Sequence, residues 1–190
     1  LYKLSLIGVS HVFFQNLEDK EFFEKSILKG ASTETTRLMG SGVDLKKFKP
    51  TPKQRKKFSF VMVARALHDK GVIEFLEASK RLKKLYPEIR FKYVGSKDSN
   101  PSAIACESFE ELTNGEVIEF FGWVDDVRPI IAGSSVFVLP SYREGLPRST
   151  IEAMAMGRPI ITTDVPGCRD TVRNGENGIL IPAKDADVLF

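Results

Sequence analysis

Residues 135–163 read SVFVLPSYREGLPRSTIEAMAMGRPIITT. Ser135 to Leu139 is an almost wholly apolar run, as expected for a strand that is buried on both faces. A loop with glycine and proline follows, and the apolar spacing from Arg148 to Met156 predicts a helix that Gly157 ends. Pro159 to Thr163 is a second apolar run. The stretch therefore predicts a strand, a loop, a helix and a parallel strand.

The same alternation extends in both directions from this stretch. The further predicted strands cover 58–63, 91–94, 117–121 and 178–181, and the predicted helices cover 70–86, 126–132 and 168–173. Short apolar strands alternating with helices are typical of a parallel sheet that is covered on both faces. We therefore predict an α/β fold with a doubly wound, Rossmann-like parallel sheet.

The residues before this region are organised less regularly. Their predicted elements are a strand at 9–15, a helix from Leu17 to Lys29 and a short strand with a glycine-rich exit at 36–44. Residues 49–57 are polar and carry prolines, which disfavour a helix and indicate a connection between domains. We therefore divide the chain into 1–50, a linker at 51–57 and a domain at 58–190.

The overall composition excludes several classes of protein. The 190 residues are 42% hydrophobic and 28% charged, unlike a collagen, a coiled coil or a disordered chain. The balance of 28 Lys and Arg against 25 Asp and Glu is too even for a nucleic-acid-binding surface. Cys106 and Cys168 are too few for a disulfide scaffold or a thiolate metal site and suit reduced cytoplasmic thiols. No apolar run approaches the roughly 20 residues that span a bilayer.

Charged residues and glycines cluster where the predicted strands end. In parallel sheets, ligands bind at this edge, beside the N-termini of the following helices. Arg65 and Lys70 flank the first loop, and two cations beside a helix N-terminus can hold a diphosphate. Gly95 follows the next strand, and Gly122 and Trp123 follow the third. The alternative for Arg65 and Lys70 is that they are ordinary solvated surface charges.

The loop after the buried strand carries two acids. Pro147 suits the first helical turn, so the free N–H groups of Arg148 and Ser149 face the loop. Glu144 lies ahead of the helix and Glu152 lies within it. Carboxylates accept hydrogen bonds from neighbouring hydroxyls, so two acids around an anion-binding helix end suit a sugar linked to a nucleoside diphosphate. Alone, Glu152 also fits a helix-surface acid and Glu144 a solvated loop acid.

Together these segments resemble the retaining glycosyltransferases of glycosyltransferase family 4. The resemblance rests on Glu144 and Glu152 in the frame EGLP…IEAMAMGRPII, with FVLPS before it. The pattern VAR…KG within 63–71 adds to it, and GVD…FKP at 42–50 is similar to the family's interdomain connection. The match covers residues 36–185.

The resemblance implies a wider architecture. Family members have the GT-B fold, in which two Rossmann-like domains face each other across a cleft. It implies that 58–190 is the C-terminal, donor-binding half, truncated before its final helices. Residues 1–50 would be a remnant of the N-terminal acceptor domain, with its last βα unit and the interdomain connection. Within the family, ARAL…KG and SYREGLP are most similar to enzymes that add N-acetylated hexoses to polyprenyl-diphosphate sugars.

The resemblance also implies a role for each matched residue. Arg65 and Lys70 hold the donor diphosphate and stabilise the charge that develops as it leaves. Glu144 binds hydroxyls of the transferred sugar, and Glu152 binds the ribose hydroxyls. Backbone amides complete these contacts, and two further loops line the nucleobase pocket. The amides are those around Gly145, Leu146, Arg148 and Ser149, and the loops contain Gly95, Gly122 and Trp123. Many members have Gly where this chain has Pro147, which leaves the choice of hexose open.

The implied activity is the retaining transfer of a hexose or N-acetylhexosamine from a nucleoside-diphosphate sugar, expected to be a UDP-sugar. The implied acceptor is a glycan or a polyprenyl-diphosphate-linked sugar, and the reaction needs no metal or other cofactor and no nucleic acid. We expect a cytoplasmic protein that reaches the inner face of the membrane through its N-terminal domain. The 190 residues are expected to bind donor without turnover. The alternatives are a sugar-nucleotide epimerase or hydrolase of the same fold, or a non-catalytic nucleotide-sugar-binding module.

Overall fold

Strands and helices alternate along most of the chain. The computed structural model describes residues 2–52, 57–96, 100, 102–104 and 117–190. In chain order its elements are α1 (Tyr2–Ser5), β1 (His11–Phe14), α2 (Leu17–Phe22), β2 (Glu34–Arg37), β3 (Ser59–Val63), α3 (Val72–Leu85), β4 (Arg90–Val94), β5 (Ile118–Phe120), α4 (Arg128–Ala132), β6 (Val136–Leu139), α5 (Arg148–Ala155), β7 (Ile160–Thr163), β8 (Gly178–Ile181) and α6 (Ala186–Leu189). No helix in the described ranges combines the length and the apolar character that a membrane span needs.

The main sheet contains six parallel strands within the described residues. Their order across the sheet is β5-β4-β3-β6-β7-β8. The chain therefore steps outward from β3 in one direction and then returns to start again at β6 in the other. This is the strand order of the doubly wound Rossmann fold. The prediction of a doubly wound parallel α/β sheet is confirmed.

Helices cover both faces of this sheet, which buries its strands. Crossovers between parallel strands are right-handed, and those through α3 and α5 run in opposite directions across the sheet, so these helices lie on opposite faces. The strands contribute Val61, Phe137 and Ile160, all fully buried. Each fully buried apolar side chain of this size contributes roughly 1.5–3 kcal/mol to folding. The sheet is thus a stable platform for the loops at its edges.

The N-terminal part of the chain forms a smaller unit with a thinner core. Strands β1 and β2 pair in parallel as a separate two-stranded sheet. In the described part of residues 2–52, the apolar side chains that are buried are Phe14 and Leu28. Phe13 and Phe22 are more than half exposed. This unit therefore depends more on polar contacts with the main domain.

The elements of the N-terminal unit have other boundaries than the sequence predicts, and the strand predicted at 9–15 is found as β1, His11–Phe14. The predicted helix from Leu17 to Lys29 is α2 followed by a π-helical turn, Phe23–Ile27. The short strand predicted within 36–44 is found as β2, which begins at Glu34 and ends at Arg37, and the glycines of the predicted exit, Gly40 and Gly42, follow it with positive φ. Pairing with β1 covers only four residues on each strand, and this pairing sets the bounds of β2.

One end of the predicted linker is anchored to the main domain. Arg158 is 4% exposed, and its Nη2 donates to the carbonyl of Thr51 at 2.6 Å and to Thr51 Oγ1 at 2.7 Å. Its Nη1 donates to the carbonyl of Ser134 at 3.0 Å. Residues 53–56 of the linker lie outside the described residues, as does Cys106. The division at 51–57 therefore stays a prediction.

Candidate active site

The candidate site lies where the strand order of the main sheet reverses, between β3 and β6. In doubly wound sheets, ligands bind at this point, beyond the carboxyl ends of the two strands. Arg65 and Lys70 lie between β3 and α3, and Glu144 lies between β6 and α5. We call residues 64–71 and 140–147 the switch-point loops.

The switch-point loops touch each other so closely that a glycine is needed. Gly71 has a φ of +70°, and a Cβ there would lie 2.1 Å from the carbonyl oxygen of Pro140. The N–H of Tyr142 donates to the carbonyl of Asp69 at 2.8 Å. The Tyr142 hydroxyl donates to the buried carboxylate of Glu74 on α3, and burial together with this hydrogen bond raises the pKa of Tyr142. The two loops are therefore held in one fixed arrangement.

This arrangement brings Lys70 and Glu144 together. Lys70 Nζ lies 2.6 Å from Glu144 Oε1, and the hydroxyl of Ser141 donates to the same oxygen at 2.8 Å. The side chains of Lys70 and Glu144 are 19% and 14% exposed. In the described part of the chain, no group donates to Oε2 of Glu144. One carboxylate oxygen is thus fixed and the other can accept a hydrogen bond from a ligand.

Strand β7 and the loop after it form hydrogen bonds with the segment that carries Glu144. The hydroxyl of Thr163 donates to the carbonyl of Ser141, and the N–H of Glu144 donates to the carbonyl of Pro166 at 3.2 Å. Cys168 is fully buried beneath the pair. Burial raises the pKa of the Cys168 thiol and outweighs the opposing effect of hydrogen bonds with Thr162 and Thr163. The thiol is therefore neutral at pH 7 and acts as a packing residue.

Arg65 lies on the same switch-point loop as Lys70. Its side chain is exposed, and its carbonyl accepts from the N–H of Leu67 at 2.8 Å in a tight turn. A short 3-10 turn, His68–Lys70, then leads into α3. The side chain of Arg65 is therefore accessible to solvent, whereas the side chain of Lys70 is largely buried.

Backbone hydrogen bonds join the loop after β4 to the loop after β3 on one side and to the loop after β5 on the other. The N–H of Ala66 donates to the carbonyl of Ser96 at 3.0 Å, and the N–H of Gly95 donates to the carbonyl of Gly122 at 2.9 Å. We call residues 95–96 and 122–123 the edge loops. The structure brings Gly95 and Gly122 beside the predicted site, but Trp123 is 70% exposed.

Among the residues that the structure describes, none accepts a hydrogen bond from the backbone N–H groups of Arg148 and Ser149 at the start of α5, which face the switch-point loops. Pro147 occupies the position before the helix, with φ −70° and ψ 115°, and provides no side-chain cap. It thus lies one residue earlier than the sequence predicted. The first N–H groups, those of Arg148 and Ser149, are left for an external acceptor, and the helix dipole favours an anion there.

Glu152 lies on the second turn of α5. Arg148 Nε contacts Glu152 Oε1 at 3.0 Å, and the two side chains are 73% and 12% exposed. Glu152 is therefore largely enclosed by its surroundings, unlike a helix-surface acid. Its second oxygen accepts no hydrogen bond from the described residues, as for Glu144.

Two residues that contact Glu144 were not singled out from the sequence. Ser141 stands within the quoted frame, but nothing in its spacing distinguishes it from other loop serines. Asn16 Nδ2 donates to the carbonyls of Glu144 at 3.1 Å and Gly145 at 3.2 Å. Its position before α2 is the signal of a helix cap, whereas its contact with a loop 128 residues later has no sequence signal.

The groups that the site offers to a ligand are cations, backbone N–H groups and single carboxylates. Among the described residues, no three His, Cys, Asp or Glu side chains are grouped as a metal site would require. Lys70 and the N-terminus of α5 both favour a negatively charged group. Glu144 and Glu152 each keep one oxygen for hydroxyl donors. This chemistry suits a phosphorylated, hydroxyl-rich ligand.

Comparisons with known proteins show which proteins the chain is similar to. The chain is 35% identical to a Campylobacter jejuni N,N'-diacetylbacillosaminyl-diphospho-undecaprenol alpha-1,3-N-acetylgalactosaminyltransferase, over 100% of this chain and 51% of that protein. It is 30% identical to an Escherichia coli UDP-Gal:alpha-D-GlcNAc-diphosphoundecaprenol alpha-1,3-galactosyltransferase, over 90% of this chain and 46% of that protein. The chain spans about half the length of the curated relatives that it matches.

A solved structure and a protein family match as well. Sucrose-phosphate synthase from Thermosynechococcus elongatus superposes with a TM-score of 0.81 and 26% identity, over 98% of this chain and 49% of that one. It and the other structural neighbours have the GT-B fold. Residues 57–190 match the family described as Glycosyl transferases group 1. The chain therefore belongs to the group 1 glycosyl transferases, and its main domain is a Rossmann-like half of a GT-B fold.

Proposed function

We propose that the protein transfers a hexose or N-acetylhexosamine from a UDP-sugar to a glycan or polyprenyl-diphosphate-linked acceptor, with retention of the anomeric configuration. The observation that carries the proposal is the contact between Lys70 and Glu144 at the switch point. It joins a group that neutralises phosphate to a group that accepts sugar hydroxyls. A glycosyl diphosphate presents these two chemistries side by side.

Lys70 serves the leaving diphosphate. An ammonium group has three N–H donors, and Glu144 takes one of them in this structure. The others are available to phosphate oxygens, so Lys70 can hold Glu144 and the diphosphate together. Arg65 supplies a second cation from the same loop. Preorganised positive charge of this kind stabilises the negative charge that develops as the diphosphate leaves, without a metal ion.

The acids and the amides hold the rest of the donor. Glu144 accepts hydrogen bonds from hydroxyls of the transferred sugar through Oε2, and Glu152 accepts hydrogen bonds from the ribose hydroxyls. The N–H groups around Gly145, Leu146, Arg148 and Ser149 bind phosphate and sugar oxygens. The edge loops, with Gly95, Gly122 and Trp123, line the base. The backbone hydrogen bonds from Ala66 to Ser96 and from Gly95 to Gly122, which place the edge loops next to the loop after β3, support this division.

The donor and the acceptor classes are supported by the relatives. The name of the Escherichia coli relative gives UDP-Gal as its donor, and both relatives are named for sugars linked to diphospho-undecaprenol. We assign the same classes to this protein. Such acceptors are membrane lipids, so we place the reaction at the cytoplasmic face of the membrane, with the acceptor held by the N-terminal domain.

The proposed step is a displacement on one face of the sugar. The bond from the anomeric carbon to the β-phosphate oxygen breaks, and its electron pair leaves with UDP. The acceptor oxygen forms the new bond from the same side, and its proton passes to the departing phosphate. Glu144 is already bound by Lys70 and Ser141 through Oε1, which suits hydroxyl recognition better than attack on the anomeric carbon.

The 190-residue chain is expected to bind the donor without catalysing transfer. Since the chain spans about half of its relatives, we propose that it binds donor but does not transfer sugar alone. A ligand that binds only the folded state at 100 times its Kd raises stability by about 2.7 kcal/mol. UDP and UDP-sugars should therefore raise the melting temperature, and adenine nucleotides should not.

The reaction itself is tested with the full-length parent protein. An isotopically labelled UDP-sugar is incubated with a lipid-linked acceptor, and the products are separated and their anomeric configuration determined. Transfer with retention supports the proposal. Release of free sugar or formation of an epimeric nucleotide sugar would establish a hydrolase or an epimerase instead, and binding without any product would establish a binding module.

A further inference from the structure

Asn16 is a fully buried polar residue between the N-terminal unit and the switch-point loops. It caps α2, because its Oδ1 accepts the N–H of Asp19 at 2.8 Å. Its Nδ2 donates to the carbonyls of Glu144 and Gly145 at 3.1 and 3.2 Å and to Asp19 Oδ2 at 2.8 Å. One buried amide group therefore binds two consecutive carbonyls of the loop that carries Glu144.

These hydrogen bonds fix which way the loop's amides point. In a trans peptide the C=O and the N–H point in opposite directions, and none of the described peptide bonds is cis. The carbonyls of Glu144 and Gly145 face Asn16, so the N–H groups of Gly145 and Leu146 face away from it. Neither N–H donates a hydrogen bond to another described residue. They are thus free on the side opposite Asn16.

Close packing around the peptide between Glu144 and Gly145 leaves little space for this peptide to flip. A Cβ on Gly145 would lie 2.2 Å from Gln15 Oε1, and a Cβ on Gly167 would lie 2.3 Å from the carbonyl oxygen of Glu144. The peptide between Glu144 and Gly145 is therefore packed between the residue before Asn16 and the loop after β7. Such close packing on two sides disfavours a peptide flip.

Charged pairs hold the start of α2 against the same region. Arg143 pairs with Asp19, and Arg169 Nη1 contacts Glu18 Oε1 at 2.8 Å. Both acids lie in the first turn of α2, directly after Asn16. These pairs fasten the cap of α2 beside the loop, so that Asn16 keeps its position relative to Glu144.

We propose that Asn16 is a positioning residue that holds the 144–145 peptide so that the N–H groups of Gly145 and Leu146 face the donor's phosphates and sugar. The inference rests on the proposed donor site. It adds that a residue of the N-terminal unit, which does not itself touch the donor, sets the geometry of the phosphate-binding amides in the main domain.

The test uses two variants of the 190-residue chain that keep the helix cap. Asn16→Asp retains the acceptor for the N–H of Asp19 but replaces the NH₂ with an oxygen facing two carbonyls. Asn16→Ser also retains a capping oxygen, adds no charge and is too short to reach the loop. The control is Asp185→Ala, which removes a helix cap at α6, where Asp185 accepts the N–H of Val188 at 2.9 Å.

Binding is measured for UDP and for uridine, which lacks the phosphates. Both Asn16 variants should weaken UDP binding about tenfold, because the N–H groups that donate to its phosphates would be misaligned. The affinity for uridine should change less than about twofold. The control should change neither. Equal weakening of both ligands would indicate a general loss of structure and would overturn the inference, as would unchanged UDP affinity in both Asn16 variants.

A crystal structure of each Asn16 variant and of the control, without ligand, gives a second readout. Rotation of the 144–145 peptide in both Asn16 variants, but not in the control, supports positioning by Asn16. An unchanged peptide orientation overturns it. If the wild-type chain binds no uridine nucleotide, the proposed donor site is wrong, and the peptide orientation alone then decides whether Asn16 positions the loop.

Discussion

The switch-point loops and the edge loops lie at the same end of the sheet but are held in different ways. At the switch point, side-chain contacts are added to the backbone ones, and the side chains of Lys70 and Glu144 are each less than one-fifth exposed. At the edge loops the contacts are between backbone groups, such as the N–H of Gly95 and the carbonyl of Gly122. Trp123, which follows directly, is 70% exposed.

This difference matches the chemistry assigned to each region. Charges that stabilise a transition state act best when they are fixed before the substrate binds, because no reorganisation is then needed during the reaction. An aromatic ring that stacks on a base carries no such requirement. Substitutions at the switch point should therefore reduce catalysis strongly, and substitutions at the edge loops should act mainly on binding of the base.

The largest effect is expected for Lys70→Ala in the full-length parent. Loss of a preorganised charge should lower kcat/KM about 10²–10³-fold. The control is Lys25→Ala, which removes an exposed lysine that contacts Glu21 at 2.7 Å and should leave kcat/KM within about twofold. Equal rates for Lys70→Ala and the wild type would remove the basis for the diphosphate assignment.

Glu144→Gln comes next in expected size. The amide oxygen can still accept from Ser141 and Lys70, but the charge that grips hydroxyls is lost, so kcat/KM should fall about 10- to 100-fold. Its control is Glu119→Gln, which breaks an ion pair with Arg90 at the amino-terminal edge of the sheet. If both variants lose activity equally, Glu144 has no special role.

Tyr93→Phe tests the contact between the two regions. The Tyr93 hydroxyl is buried and donates to the carbonyl of Ala64 at 2.8 Å. Its removal leaves a carbonyl without this donor and should lower the free energy of unfolding by about 1–2 kcal/mol, measured by urea denaturation at pH 7. Since Tyr93 does not contact the proposed donor, UDP affinity of the folded protein should stay the same. A large drop in UDP affinity would show that the regions are coupled.

Tyr93 also makes the free energy of unfolding depend on pH in the alkaline range. Burial raises the pKa of Tyr93 well above its ordinary value of about 10. Above pH ~10 the unfolded chain loses this proton while the folded chain keeps it, so stability is full below that pH and falls as pH rises. Tyr93→Phe should make the fall between pH 9 and pH ~11 shallower in urea denaturation. An unchanged slope would mean that Tyr93 ionises equally in both states.

The smallest effect on stability is expected for Trp123→Ala. Because the ring is largely exposed, the free energy of unfolding should change by less than about 0.5 kcal/mol. Uridine affinity, in contrast, should fall about fivefold if the ring contacts the base, and Trp123→Phe should retain most of it. Unchanged uridine affinity in Trp123→Ala would remove Trp123 from the base pocket.

Local patterns predicted the main domain better than the N-terminal unit. The helix predicted at 70–86 is found as α3 with its preceding turn, and the predicted strand at 178–181 is found unchanged. Helix α3 buries one face, so its apolar period is strong, and β8 is a short apolar run that follows a turn. The short strand predicted within 36–44 is found shifted to 34–37, because its bounds depend on pairing with β1 and a short, half-exposed strand has little periodicity of its own.

The sequence alone determined the fold class, the family and the loops where the chemistry lies, because apolar periodicity and the EGLP…IEAMAMG frame are local properties of the chain. Tertiary structure alone decided that Lys70 meets Glu144, since this contact requires β3 and β6 to be neighbours. It likewise decided that Asn16 reaches the carbonyls beside Glu144. Contacts between residues far apart in the chain depend on strand order and domain packing, and neither leaves a periodic signal in the residues concerned.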